Sequence, residues 1–239
     1  MTLFVGTSGW AYKEWKPDFY PVDLPQTRFL DHYSRQLSAC EINATFYRLQ
    51  SEDTFRKWAG ATADEFKFAL KAHRGLTHSK QLAPGDENTG LLTRFLESFA
   101  ALDDKLGVVL FQLPPYRHRD DDALQRLLYV LPLQHRYAFE FRHESWADAR
   151  VADTIAERGA TVCLSETEGK VPESLPDGPL AYVRLRAERY SPEARDSWRE
   201  LLEQEGAARD VFAFAKHEGV PAGDPFGGIG LAQWLRAPR

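Results

Sequence analysis

A set of polar side chains stands at the ends of short apolar runs: Ser8, Glu41, Asn43, Lys71, His73, Gln112, Glu140, Arg142 and Arg184, with Lys216 after the last run. Gathered in one place, they would make a site for an anion. Lys71, Arg142 and Arg184 outnumber Glu41 and Glu140, whereas a network that only balances itself carries equal signs. Guanidinium forks and an ammonium suit the oxygens of a phosphate or carboxylate. Glu41, Glu140 or His73 would move protons. Ser8, Asn43 and Gln112 would add polar contacts, and Trp10, Tyr47 and Trp146 would offer rings for stacking. With cations within about 4–6 Å, both glutamates are expected to stay ionised at neutral pH.

The stretch from Arg136 to Trp146 shows what must position these groups. Tyr137, Phe139 and Phe141 share one face at period two, and Ala138, Glu140 and Arg142 share the other. A β-rich run with rings on one side and charges on the other suits a strand under helices, its charged face turned to the mouth of a barrel. The same two-faced run recurs. Strands are predicted over residues 3–8, 40–46, 66–73, 107–113, 137–142, 160–165, 180–186 and 211–216. Helices are predicted over 26–37, 51–58, 89–102, 121–130, 145–158, 192–205 and 228–236. Ser51 and Ser145 serve as N-caps, Pro192 stands at N1, and Gly159 is a stop. Residues 166–179 show no helical phase and read as loop. No linker divides the chain, so residues 1–239 form one α/β domain, a (β/α)8 TIM-type barrel whose connection between strands six and seven lacks a regular helix. Loops 9–25 and 74–88 follow strands and would hang over the mouth as lids.

Composition narrows the partners. The chain has 239 residues, 43% hydrophobic content and a formal net charge of −5. It is therefore not a general polyanion binder, although a local basic pocket is compatible with that charge. Cys40 and Cys163 are far apart and belong to no CxxC, which argues for buried thiols rather than a disulfide or zinc. No cofactor or metal is expected. His143 is out of phase with Glu140, and neighbouring Lys and Arg would oppose a dication. Gly6-Thr7-Ser8-Gly9 lacks the phosphate-loop form, and no Gly-x-Ser-x-Gly elbow occurs. Without a basic n-region or a long apolar run, the chain is expected to be cytoplasmic and unattached to membranes.

Several motifs together resemble the YecE-like family, domain of unknown function 72. They are Gly6-Thr7-Ser8-Gly9-Trp10 with Tyr12 and Trp15, Phe19-Tyr20-Pro21, Glu41-Ile42-Asn43-Ala44-Thr45-Phe46-Tyr47 and Lys71-Ala72-His73 with Thr77-His78. Phe111-Gln112-Leu113-Pro114-Pro115, Glu140-Phe141-Arg142-His143-Glu144-Ser145-Trp146 and Tyr182-Val183-Arg184-Leu185 complete them. The resemblance implies a TIM-type barrel with a polar mouth and lends no established activity. The chain departs from it at Lys216-His217, where family members tend to carry an Asn-rich turn.

Three classes of function remain open at this point. One is an enzyme or enzyme-like binder of a small phosphorylated or carboxylated molecule. Another is a carbohydrate-active hydrolase with Glu41 and Glu140 as its carboxylate pair. The third is a nucleic-acid-binding barrel that uses the aromatic lid and the mouth cations.

Overall fold

Eight parallel strands close on themselves in chain order: β1 (Leu3–Ser8), β2 (Ala39–Ile42), β3 (Lys67–Lys71), β4 (Leu106–Gln112), β5 (Tyr137–Glu140), β6 (Thr161–Glu166), β7 (Leu180–Leu185) and β8 (Asp210–Ala215). This computed structural model describes residues 2–85 and 88–237; Met1, Asp86, Glu87, Pro238 and Arg239 lie outside the described residues, two of them within the expected 74–88 lid. The helices are α1 (Phe29–Gln36), α2 (Ala44–Tyr47), α3 (Glu52–Gly60), α4 (Arg74–Thr77), α5 (Thr89–Ser98), α6 (Asp121–Val130), α7 (Ala149–Ala156), α8 (Pro192–Ala208) and α9 (Gly228–Arg236). The architecture is a (β/α)8 TIM-type barrel. Among the described residues, β6 and β7 are joined without a helix.

Period-two alternation divides the strand residues between two cores. Phe4, Ala39, Ala69, Val108, Leu110, Ala138, Cys163, Leu180, Tyr182, Phe212 and Phe214 pack with one another inside the barrel. Ile42, Leu70, Phe139, Val183 and Leu185 face the helices. The lumen is plugged below by large rings, with Phe4 stacked on Phe212 at 4.7 Å. Small residues, Ala39, Ala69 and Ala138, leave room for them. One step further along each strand, the lumen series passes from apolar to polar: Ser8, Glu41, Lys71, Gln112, Glu140 and Arg184. That change is the floor of the mouth. The two free cysteines are buried, Cys40 against the helix layer and Cys163 in the lumen.

Several boundaries differ from the sequence reading. The second strand stops at Ile42 rather than Phe46, because Asn43 turns helical (φ −84°, ψ −16°) and begins α2. The Thr45 hydroxyl donates to the carbonyls of Lys71 (2.7 Å) and Ile42 (2.9 Å), which fastens that turn to the end of β3. The fifth strand ends at Glu140, so Arg142 lies past the sheet. The first helix begins as a 3-10 turn, Gln26–Arg28. The helix expected over 89–102 becomes 3-10 after Ser98, and α8 runs past Glu205 to Ala208.

Ser145 does not cap the following helix. Asp148 does, accepting from the Arg150 amide at 2.9 Å, while the Ser145 hydroxyl accepts from the Arg119 amide. Ser51 is a cap as expected, accepting from the Thr54 amide, and Gly159 ends its helical segment at φ +71°. Removing the Asp148 carboxylate in Asp148→Ala takes away the helix cap and should lower the urea midpoint of unfolding.

The expected lids are fastened down. Trp15, Phe19 and Tyr20 are buried, and Tyr20 stacks on Phe29 of α1 at 3.8 Å. Segment 74–85 is held by Asn88, whose amide donates to Gly75, Ser79 and Gln81, and by Arg117, which donates to the carbonyls of Thr77, Ser79 and Lys80. Tertiary packing uses these rings as anchors because burying them gains more than presenting them to water.

Candidate functional site at the barrel mouth

Arg184, at the end of β7, is the hub of the mouth. Its Nε and Nη2 donate to both oxygens of Glu41 (2.9 and 2.8 Å), and its Nη1 donates to Glu140 (2.7 Å). Glu41 also accepts from Ser8 (2.9 Å), Tyr182 (2.9 Å) and Asn43 (3.3 Å). Glu140 accepts from Gln112 (2.7 Å) and from Nε of Arg142 (2.8 Å). Both carboxylates and the Arg184 guanidinium are buried. Burial alone would raise the carboxyl pKa values. The charge of Arg184, with Arg186 for Glu41 and Arg142 for Glu140, outweighs it and brings Glu41 down to about 2 and Glu140 below the ordinary carboxylate range. Neither glutamate holds a proton at pH 7, so neither is a ready general acid.

This geometry corrects the expectation that Arg142 and Arg184 would together face a guest. Arg184 is committed to Glu41 and Glu140. Arg186, one residue past the end of β7, donates to the Ser8 hydroxyl at 2.6 Å. The groups left to face a guest are Lys71, the outer part of Arg142 and Arg186. The Arg142 side chain remains 45% exposed while holding Glu140.

Lys71 is the unusual member. Its residue is 9% exposed, yet its ammonium has no carboxylate within 4.0 Å and no hydrogen-bond acceptor among the described residues. It lies over the ring of Phe46, 4.0 Å from the centroid, where α2 has brought that ring. Burial and the neighbouring charge of Arg184 push its pKa down to about 8, against the pull of Glu41 and Glu140. The Asn43 side chain, whose amide donates to Glu41, has its oxygen buried without a partner.

The other expected site residues are used differently. His73 caps α4, its Nδ1 accepting from the Gly75 amide at 3.0 Å, and joins neither glutamate. A histidine that does border the mouth is His78. Its ring meets the edge of Phe46 at 5.0 Å, and its Nδ1 lies 2.8 Å from the Thr77 hydroxyl. Burial and the charges of Lys71 and Arg142 lower its pKa to about 4. Trp146 is buried against Phe141 (4.5 Å), with its indole N–H on the Arg117 carbonyl, so it is part of the helix-side core. Trp10 is half-buried with its ring against Trp58, and Tyr47 is 70% exposed.

His217 stacks on Tyr12 at 4.3 Å and, with Arg186, closes the β1–β8 side of the rim. Strand periodicity gave no signal for His78, which lies past the third strand, whereas Arg186 falls in phase with Tyr182 and Arg184 at the end of the predicted seventh strand. Tyr182 was legible as a lumen residue but not as a partner of Glu41. Beside the mouth, a groove of about 950 Å³ runs from His78 past Tyr116 and His118 to Arg126.

A parallel eight-stranded barrel with its charged cluster at the C-terminal strand ends has the layout in which TIM-type barrels hold ligands. A family model described as "Protein of unknown function DUF72" matches residues 4–224, and the chain belongs to that family. It is 29% identical over 152 residues to UPF0759 protein YunF of Bacillus subtilis (60% of this chain, 52% of that protein). It is 30% identical over 142 residues to UPF0759 protein YecE of Escherichia coli K12 (59% and 48%). The chain thus spans about half the length of the curated relatives it matches. The crystal structure of a DUF72 family protein, TM1631 of Thermotoga maritima, superposes with a TM-score of 0.75 at 21% identity, covering 99% of this chain and 97% of that one. EF0366 of Enterococcus faecalis, of the same family, gives 0.69 at 17% identity over 89% and 88%. These structural likenesses speak for the fold.

Proposed function

We propose that the mouth is the binding site of a small phosphorylated or carboxylated molecule, in an enzyme or enzyme-like binder. One observation carries this reading: Lys71 is a largely buried lysine whose ammonium pairs with no carboxylate, in a cluster where Arg184 and Arg142 already compensate Glu41 and Glu140. An uncompensated buried charge costs several kcal/mol, and a bound anion would remove that cost. Arg142 and Arg186 flank the same space and supply further donors. The carbohydrate-hydrolase reading is weaker, because it needs a carboxyl group that holds a proton. The nucleic-acid reading loses most of its stacking platform to the packed rings of Trp15, Tyr20 and Trp146.

Thermal unfolding with phosphate, sulfate and a panel of sugar phosphates tests the proposal. At a concentration of about 100 times Kd, a bound anion should stabilise the wild type by about 2.7 kcal/mol. Arg142→Ala, whose partner Glu140 keeps Arg184, should fold and lose most of that response. A melting temperature that ignores the whole panel would sink the reading.

A further inference from the structure

The environment of Lys71 suits more than charge pairing. A lysine that only grips an anion works best fully protonated and hydrated, as a point charge on a flexible stem. Lys71 is instead withdrawn to the floor of the mouth. Its stem is held by β3 and its nitrogen is seated on the Phe46 ring at 4.0 Å, with His78 packed on the same ring. The carboxylates that would hold it protonated are engaged by Arg184, Arg142 and Gln112. The nitrogen therefore has no competing acceptor among the described residues.

We propose that Lys71 is a Schiff-base nucleophile, condensing with the aldehyde or ketone carbon of a small carbonyl compound that also carries a carboxylate or phosphate. This rests on the mouth being an anion site, with Arg142 and Arg186 holding the anionic end and the carbonyl presented to Lys71. Desolvated lysines beside other cations are the ones activated for such chemistry. A pKa pushed down to about 8 leaves roughly a tenth of the amine neutral at pH 7. In the step itself, the Nζ lone pair forms the C–N bond and the C–O π pair moves to oxygen. The oxygen then leaves as water with the two amine hydrogens. No oxidant or reductant takes part.

Borohydride trapping tests this. Wild-type protein is incubated with glyoxylate, pyruvate or glyceraldehyde 3-phosphate and sodium cyanoborohydride, then analysed by intact mass and peptide mapping. One reduced adduct on Lys71 is expected, with labelling half-maximal near pH 8 and slowed by inorganic phosphate. Adducts spread over exposed lysines such as Lys13, Lys57 and Lys80, with Lys71 unlabelled, would overturn the inference. Lys71→Arg keeps the cation, so it should retain stabilisation by phosphate and lose the adduct. Stabilisation of the wild type by phosphate without any Lys71 adduct overturns the nucleophile and leaves the anion site. Labelling of Lys71 that phosphate does not slow supports the nucleophile and overturns the anion site. The mapping on wild type needs no variant to fold.

Discussion

Arg184→Ala is expected to destabilise the barrel by about 3–5 kcal/mol at pH 7, the cost of leaving buried charges without their partner. The guanidinium touches both oxygens of Glu41 and one of Glu140, so its removal leaves Glu41 without a paired cation and Glu140 with Arg142 alone. Urea unfolding across pH should separate this from a loss of packing. In the wild type, Glu41 has a folded pKa near 2 against an ordinary value of 4.5. Its ionic contribution, about 3 kcal/mol by linkage, is therefore fully present above pH 4.5 and lost as pH falls towards 2. In Arg184→Ala, burial is opposed only by Arg186 beside Glu41 and Arg142 beside Glu140, and the carboxyl of the fully buried Glu41 is expected to rise above its value in the unfolded chain. Relative to the wild type, which loses stability from pH 7 towards 5 as histidines such as His78 protonate more readily in the unfolded chain, the variant should then gain stability over the same window. Adding Glu41→Gln and Glu140→Gln should remove that slope. A variant that loses under 1 kcal/mol, or whose slope between pH 7 and 5 equals that of the wild type, would mean the network contributes little.

Lys71→Met should do the opposite and raise stability, by up to about 3 kcal/mol at pH 7. Lys71 titrates near 8 in the folded protein against 10.5 for the free side chain. The folded state thus binds fewer protons than the unfolded one between these values. Wild-type stability should rise from pH 8 to 10.5 on this account, and the penalty is fully present below 8. Methionine has the length to lie along Phe46 without a charge to desolvate. A residue whose removal stabilises the fold is one held there against the fold's interest, as functional groups often are. Chemical denaturation at pH 7 and pH 10 checks both claims: the variant should be more stable than wild type at pH 7 and the difference should shrink at pH 10. Equal or lower stability at pH 7 would place Lys71 among the structural cations.

Much of this molecule could be read from residue order alone. Alternation at period two is a local property of extended chain, so the assignment of Phe139, Val183 and Leu70 to the helix side and of Glu140, Arg184 and Lys71 to the lumen needed no coordinates. Eight such runs with helical stretches between most of them leave a closed barrel as the economical arrangement, and the missing helix at 166–179 was visible as a missing phase. The motifs placed the chain in its family. Pairing was another matter. Whether Arg184 meets a guest or Glu41 and Glu140 depends on reach across the lumen between β2, β5 and β7, and such distances have no trace in local spacing.

The same limit explains the individual misses. Asn43 leaves the strand because Thr45 finds a carbonyl on β3, a long-range bond that overrides β propensity. His73 spends its ring nitrogen on a helix cap, and His78 takes the place at the mouth. Trp146 and the rings of loop 9–25 are buried because apolar area is removed from water wherever the fold offers a surface. The sequence by itself determined the fold and the polar character of the mouth, since both follow from local patterning. Only the tertiary structure decided which charges neutralise one another and which remain: it set Arg184 between two glutamates and left Lys71 buried without an anion, because ion pairing is fixed by distance in space and not by order along the chain.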